Sequence, residues 1–230
     1  MIIYGEDMVM ADINSRSEGI IDCLSDYTFH ILGCGAIGSS ASTQLARMGA
    51  TDFILYDNDK VEAVNIGVSQ YDNSDVGNLK VMALLDKIQS INASCHIFPQ
   101  NGLFEELLYV GGNKDIVIIG FDNMKSRLDA VSKCTKFKLK LLIDGRMGAE
   151  HYQQYTFTKP NYNNYVKTWY ADEDGSSEPC NMKATSYCSN MSGSFIANTI
   201  RKVLTRQPYE VALSFNFPTM TVEKNTCYNA

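Results

Sequence analysis

The feature that most constrains the fold of this 230-residue chain is a glycine motif between a predicted strand and a predicted helix. Thr28–Leu32 (TFHIL) predicts a buried strand, and Gly33-Cys34-Gly35-Ala36-Ile37-Gly38 follows it directly. The apolar spacing beyond the motif predicts a helix that ends near Met48, where Gly49 stops it. Such glycines let backbone N–H groups approach a phosphate at a helix start, where the helix dipole favours negative charge. The motif therefore predicts a nucleotide-binding unit.

Short apolar runs alternate with amphipathic stretches through the first two thirds of the chain, the pattern of βαβ units. Further strands are predicted at Phe53–Tyr56, Cys95–Phe98, Asp115–Ile119 and Lys140–Ile143, and helices at Val76–Ser90 and Met124–Lys138. The predicted fold class is α/β, with a Rossmann-like, doubly wound, mostly parallel sheet.

The pattern of predicted elements changes after Glu150. His151–Thr158 and Val211–Phe217 alternate like antiparallel strands, and Ala184–Thr205 predicts a helix. Ala171–Glu178 (ADEDGSSE) has the composition of an exposed, mobile loop. We predict one domain with an N-terminal helical segment (1–26), a nucleotide-binding core (27–150) and a C-terminal part (151–230) of crossover loop, helix and antiparallel strands.

Composition excludes several classes of protein. The net charge is −6 and the 20 Lys and Arg residues are scattered, so no nucleic-acid partner is expected. No apolar run approaches the ~18 residues that a membrane span needs, and the acidic N-terminus lacks the basic flank of a signal peptide. Seven cysteines without a C-x-x-C pair indicate reduced thiols in the cytoplasm and no paired-cysteine zinc site. The three histidines form no metal-binding pair, so histidine-based chemistry is not expected.

Charged residues beyond the glycine motif bear on the identity of the nucleotide. Asp57 lies 24 residues after Gly33, at the end of the second predicted strand, where an acid accepts hydrogen bonds from ribose hydroxyls. The glycine motif and Asp57 alone are compatible with either NAD or ATP. Lys80, at the start of a helix after a polar loop, fits cleavage of ATP between its α- and β-phosphates, whereas a dehydrogenase has no need for it. Asp122-Asn123 follows the fourth strand and faces the same crevice.

Four segments in this order, LARMGA, YDNDKVEAVNIG, DVGNLKV and DN-(x)3-R, together with the glycine motif, resemble the ThiF/E1-like adenylyltransferase superfamily. That superfamily includes ubiquitin-activating enzymes and bacterial enzymes that activate sulfur-carrier proteins. The resemblance is close over residues 28–150. It implies a homodimer that uses ATP and Mg²⁺ to adenylate the C-terminal carboxylate of a ubiquitin-like or sulfur-carrier protein with a flexible Gly-rich tail.

The resemblance also implies roles for individual residues. Asp57 would bind the ribose, Lys80 and Asn65 the phosphates, and Asp122 Mg²⁺, although Asp122 also suits the N-cap of the following helix. Arg16 would be a finger donated across the dimer, or else an ordinary surface arginine. The implied nucleotide-binding set is Gly33, Gly35, Ala36, Ile37, Gly38, Asp57, Asp59, Asn65, Gln70, Lys80, Asp122, Asn123 and Arg127.

One position departs from the family pattern. Many members carry an arginine three residues after the asparagine, where this chain has Val68. Lys80, Mg²⁺ and either Arg16 or Arg47 would then neutralise the transition-state charge, unless Arg47 only caps its helix. Val68 keeps open a catalytically weak scaffold subunit of a heterodimer. Adenylation of a peptide or an RNA-linked carboxylate is a further alternative.

Cys180 is the cysteine that the sequence singles out as a nucleophile. It follows the acidic loop and precedes a helix, with Lys183 close by, and a helix start and a lysine both lower a thiol pKa. Its Pro-Cys-x-x-Lys segment looks like the catalytic-cysteine stretch of E1 enzymes, which implies a thioester intermediate. Cys188 is the second candidate.

Overall fold

The computed structural model describes residues 13, 15–17, 19–20, 24–172 and 184–227. The strands in this part of the chain are β1 (Thr28–Leu32), β2 (Asp52–Asp57), β3 (His96–Asn101), β4 (Asp115–Ile119), β5 (Leu141–Gly148), β6 (His151–Phe157), β7 (Tyr209–Asn216) and β8 (Thr221–Cys227). The α-helices are α1 (Ala36–Arg47), α2 (Ala63–Ile66), α3 (Lys80–Ile91), α4 (Met124–Cys134), α5 (Tyr162–Val166) and α6 (Ser186–Leu204).

These strands form one sheet in the order β3-β2-β1-β4-β5-β6-β7-β8. The pairs from β3 to β5 are parallel, and those from β5 to β8 are antiparallel. The strand order reverses between β1 and β4, which makes their carboxyl ends the expected crevice for a ligand. The predicted α/β class, doubly wound sheet and antiparallel extension are confirmed. No helix among the described residues is both long and apolar enough to cross a membrane.

Successive residues of the central strands enter two different cores. Phe29 and Ile31 of β1 pack on the side of the sheet that α1, α3 and α6 cover. Leu32 of β1 and Ile54 of β2 pack on the opposite side, against α4 and Tyr165 of α5. Because both faces are covered, these strands consist of nearly unbroken apolar residues, as parallel strands do.

One boundary error concerns the helix predicted at Val76–Ser90, which begins four residues later, at Lys80. The preceding backbone is paired with the loop after β2: Gly77 N donates to Val61 O (2.9 Å), and Val61 N donates to Asn78 O (2.8 Å). The carbonyl of Asn78, which would accept from Met82 N in the predicted helix, is thereby used by Val61.

Other differences lie at the edges of the sheet and at the chain termini. α4 ends at Cys134 rather than Lys138, β5 continues to Gly148, where it pairs with β6, and β8 was not predicted at all. In the predicted N-terminal helical segment the described residues form short 3-10 turns at Ser15–Ser17 and Leu24–Asp26. Most of the predicted crossover loop lies outside the described residues.

α1 and α6 cross at a glycine. A Cβ on Gly193 would lie only 2.6 Å from the carbonyl carbon of Ser40, so no larger residue fits without moving one helix. Ser40 Oγ donates to Asn190 O (3.3 Å), and Ser189 Oγ donates to Ala36 O (2.9 Å). The start of α6 is thereby fixed to the first turns of α1, directly behind the glycine motif.

We expect Gly193→Ala to lower the free energy of unfolding by about 1–3 kcal/mol, since the methyl group overlaps the Ser40 backbone. Gly67→Ala is the matched control, because a Cβ there meets nothing within 4 Å and φ is −68°. Urea denaturation of both variants measures the effect. Equal stability of the two variants would contradict the tight crossing.

Candidate active site

A cavity of about 610 Å³ opens at the carboxyl ends of β1, β2 and β4, at the reversal of the strand order. Seven residues of the predicted nucleotide set line it: Gly33, Gly35, Asp57, Asp59, Lys80, Asp122 and Asn123. The sequence therefore predicted the location of the cavity and about half of its charged lining.

The three glycines of the motif have different structural roles. Gly33 has a φ of +92°, and a Cβ on it would lie 3.0 Å from the carbonyl group of Gly120 at the end of β4. A Cβ on Gly38 would overlap the Gly33 carbonyl, lying 3.0 Å even from its carbon atom. Gly35 lines the cavity, and a Cβ there would meet nothing within 4 Å. Gly33 and Gly38 are thus required by packing, and Gly35 keeps the cavity open.

Asp57 joins the glycine motif to the loop after β2. Its Oδ2 accepts a hydrogen bond from Cys34 N (2.7 Å), and its Oδ1 accepts one from Asp59 N (2.8 Å). Burial raises the pKa of Asp57 above its ordinary value, while the two N–H donors and the charge of Lys80 act in the opposite direction. Each carboxylate oxygen keeps a second lone pair that is able to accept from a ligand hydroxyl.

Lys80 begins α3 and lies beside Asp59. Its Nζ is 2.8 Å from Asp59 Oδ2, and its side chain is 12% exposed against 59% for Asp59. Burial lowers the pKa of Lys80, but the hydrogen bond to Asp59 and the charges of Asp57 and Asp59 outweigh burial, so the pKa is raised overall. Lys80 therefore carries a positive charge at neutral pH on the wall of the cavity.

Tyr71 is a buried residue that sequence reasoning missed. Its hydroxyl lies 2.6 Å from Cys34 O and 3.3 Å from Lys80 O, and it donates to the nearer carbonyl. The phenol thus connects the glycine motif to the first turn of α3. No motif marks this tyrosine, because its function depends on two carbonyls that only the fold brings together.

The start of α4 separates two possible roles of Asp122. Asn123 is the N-cap, since its Oδ1 accepts from Ser126 N (2.7 Å). The carboxylate of Asp172 accepts from Met124 N at 3.0 and 3.2 Å. Asp122 is therefore not the helix cap that was its alternative role. It lines the cavity, and its Oδ1 accepts from Asn123 Nδ2 at 3.1 Å.

Arg127 lies outside the cavity lining. Its guanidinium is buried, pairs with Asp144 and donates to Gly145 O (2.7 Å) and to the carbonyl oxygen of Phe121. Asp144 also accepts from Arg146 Nε at 2.8 Å. Arg127 holds the β4–α4 loop from behind, and its donors are directed at protein oxygens.

Several other predicted residues also lie outside the lining. Asn65 closes a capping box of α2, since its Oδ1 accepts from Glu62 N (2.9 Å). Gln70 donates from Nε2 to Asn190 Oδ1 (2.7 Å). Ala36, Ile37 and Gly38 form the first turn of α1, and Arg16 and Arg47 are exposed on other parts of the surface.

Four of the described cysteines are buried, Cys227 is partly exposed, and Cys23 and Cys180 lie outside the described residues. Burial raises the pKa of Cys188 to about 11 and that of Cys134 to about 12, and it raises the pKa of Cys34 well above its ordinary value. Such thiols stay protonated at neutral pH and are poor nucleophiles. Cys188 is therefore a weak second candidate, and Cys180 lies outside the described residues.

A second group of lining residues was not predicted. It comes from the segment after β3 and from one face of α4, and its members are Gly102, Leu103, Phe104, Glu105, Ser126, Asp129 and Lys133. The predicted helix already contained the last three. Only the fold shows that this face of α4 borders the cavity.

The model of the ThiF family matches residues 6–229. The chain belongs to the ThiF family.

This chain is similar to several proteins of known name, of which two relatives and one solved structure follow. A probable molybdopterin-synthase adenylyltransferase of Gracilaria tenuistipitata var. liui is 36% identical over 117 residues, which are 50% of this chain and 33% of that protein. A tRNA threonylcarbamoyladenosine dehydratase of Bacillus subtilis is 29% identical over 136 residues, 57% of this chain and 52% of that protein. The matched region thus spans one third to about half of these relatives. The structure of E. coli MccB has the same fold, with a TM-score of 0.74 and 17% identity over 98% of this chain and 74% of that one.

The glycines give a paired prediction. We expect Gly38→Ala to destabilise the fold by about 3 kcal/mol, because its methyl group overlaps the Gly33 carbonyl. Gly35→Ala should stay within about 1 kcal/mol of the wild-type stability but bind ATP more weakly, because its methyl group projects into the cavity. Thermal unfolding and calorimetric titration with ATP measure the two effects. Equal ATP affinity of Gly35→Ala and the wild type would show that the nucleotide does not approach this position.

Proposed function

We propose that this chain catalyses the ATP-dependent adenylation of the C-terminal carboxylate of a ubiquitin-like or sulfur-carrier protein. The observation that carries the proposal is the cavity on which the glycine motif, Asp57, Lys80 and Asp122 converge in a ThiF-family chain. The name of the Gracilaria relative, a molybdopterin-synthase adenylyltransferase, supports adenylyl transfer.

The reaction makes modest demands on the protein. The carboxylate of the carrier attacks the α-phosphorus of ATP, the bond to the β-phosphate oxygen breaks, and an acyl-adenylate and pyrophosphate result. A carboxylate is already ionised at neutral pH, so no general base is required. Catalysis then consists of orienting the two reactants and stabilising negative charge.

The residues of the cavity fit these tasks. Asp57, with lone pairs left on both oxygens, would accept hydrogen bonds from the ribose hydroxyls. Lys80 would break its ion pair with Asp59, or keep it while also contacting the phosphates, and so place its charge beside them. The start of α1 presents backbone N–H groups at the open Gly35.

Asp122 fits a magnesium ion that arrives with the nucleotide. Mg²⁺ keeps several waters and is held by one or two carboxylates together with substrate phosphates. Asp122 supplies one such carboxylate on the cavity wall, released from the capping role. No group of three or more potential metal ligands occurs among the described residues. When bound, Mg²⁺ would neutralise charge on the triphosphate.

A second candidate is adenylation of a carboxylate linked to RNA, which the Bacillus subtilis relative favours by its name. The net charge of −6 argues against it, since binding of a tRNA body relies on a basic surface. A weak scaffold subunit, the alternative that Val68 suggested, is disfavoured because Lys80 and Asp122 both line the cavity.

The proposal includes two finer steps. Arg16, exposed in its 3-10 turn, would be donated to the cavity of a second copy in a two-fold homodimer. Cys180 would accept the acyl group from the adenylate as a thioester. The raised pKa of the buried Cys188 leaves Cys180 as the better candidate.

Pyrophosphate exchange into ATP tests the adenylation step. With a cognate carrier, we expect exchange to depend on the terminal glycine of the carrier, and Asp122→Ala to abolish it. Lys80→Met should lower it on the order of 10²–10³-fold by loss of charge stabilisation. Lys60→Met, a neighbouring exposed lysine outside the cavity, is the charge-matched control and should retain activity. Normal exchange in the Asp122 variant would refute this site.

A separate assay tests the thioester. Cys180→Ala should retain pyrophosphate exchange, because adenylation precedes attack by the thiol, but should form no thiol-labile adduct with the carrier on a non-reducing gel. Cys188→Ala should still form the adduct. If Cys180→Ala forms it too, the adenylate passes to another nucleophile and the thioester role of Cys180 is wrong.

A further inference from the structure

One wall of the cavity is joined to α4 by a lysine. Lys133, on α4, donates from Nζ to the carbonyl oxygen of Phe104 at 2.9 Å, and both residues line the cavity. The same Nζ is 2.7 Å from Asp129 Oδ2, one helical turn earlier. Lys133 thus links α4 to a segment that follows β3 and is separated from it by 29 residues.

The segment that Lys133 holds has no regular secondary structure. Residues 102–106 lie between β3 and the buried Leu107, and most of them are exposed. Their backbone is tied down beside the cavity by Gly102 N, which donates to Asp57 O at 3.4 Å, and by the bond from Lys133 to Phe104. The first of these is long, so Lys133 supplies the stronger anchor of the segment.

The side chain that this anchor positions is an aromatic ring. The Phe104 ring packs edge-to-face on Tyr56, with centroids 5.2 Å apart, and Tyr56 also lines the cavity. The hydroxyl of Tyr56 accepts from Leu108 N at 2.9 Å, which fixes the far end of the same segment. Tyr56 and Asp57 both line the cavity, so this aromatic surface and the carboxylate assigned to the ribose border the same space.

A nucleobase is a flat, largely apolar ring attached to the ribose, and it gains most from packing against aromatic side chains. We propose that Lys133 is a positioning residue that fixes Phe104, and with it the wall on which the base of ATP rests. This inference depends on the proposed function, because it assumes that the cavity binds ATP. Lys133 acts through Phe104: its Nζ donates to the Phe104 carbonyl and lies 5.8 Å from the centroid of the Phe104 ring.

The test compares two ligands that share the phosphate chain. ATP and inorganic tripolyphosphate, each with Mg²⁺, are titrated calorimetrically into the wild-type protein and Lys133→Met. Tripolyphosphate has no base, so it does not need the Phe104 wall. The measured quantity is the affinity for ATP divided by the affinity for tripolyphosphate. Tripolyphosphate carries more negative charge than ATP, so loss of the Lys133 charge alone would weaken its binding at least as much and would not lower this ratio.

We expect this ratio to fall on the order of tenfold in Lys133→Met, because the loss of a hydrogen bond from a charged donor typically has an effect of that size. Lys136→Met, an exposed lysine just beyond α4, should leave the ratio within about twofold of the wild type. In a Phe104→Ala background, Lys133→Met should lower the ratio no further, because the positioned ring is already gone.

Two results would overturn the inference: an unchanged ratio in Lys133→Met, or additive effects of the two substitutions. Both leave the proposed function intact. If the wild-type protein binds tripolyphosphate but shows no affinity for ATP, the proposed function itself is wrong. Thermal unfolding of each variant verifies that the comparison is made on folded protein.

Discussion

The cavity depends on one half-buried carboxylate. Asp57 accepts hydrogen bonds from the backbone of both Cys34 and Asp59, so a single side chain sets the distance between the glycine motif and the loop that leads to Lys80. Burial disfavours the ionised form of Asp57, whereas the two N–H donors and the charge of Lys80 stabilise that ionised form. The Asp57 carboxylate therefore affects both the position of the glycine motif and the charge in this part of the cavity.

The sheet determines where this arrangement can exist. The strand order reverses at β1 and β4, whose carboxyl ends must stay close while the chain leaves them for different faces. Gly33 and Gly120 permit this approach, since a Cβ on Gly33 would already lie 3.0 Å from the Gly120 carbonyl. Gly38 then brings α1 onto the same turn. The glycine motif is thus as much a packing requirement of two adjacent strands as a phosphate-binding feature.

Local spacing in the sequence was sufficient to predict the sheet class, the glycine motif and the positions of Asp57, Lys80 and Asp122. It failed for side chains whose partners are distant in sequence. Arg127 follows Asp122 by five residues, yet its guanidinium binds Asp144 on β5. Phe104 and Lys133 meet only through the packing of α4. β8 escaped prediction for another reason: Thr221–Asn225 are all exposed, so the strand has no alternating apolar pattern to detect.

The charge of the cavity lining explains why these distant residues matter to the proposed chemistry. Five carboxylates line the cavity (Asp57, Asp59, Glu105, Asp122 and Asp129) against two ammonium groups, Lys80 and Lys133, and each lysine is already paired with one of those acids. A triphosphate entering this lining meets a net negative surface. Like charges repel more strongly in a partly buried site than in water. In the proposed function, binding of ATP would therefore require added positive charge. The proposed magnesium ion at Asp122 and the arginine proposed to come from a second copy would supply it, whereas the neutral base would meet no such barrier at Phe104.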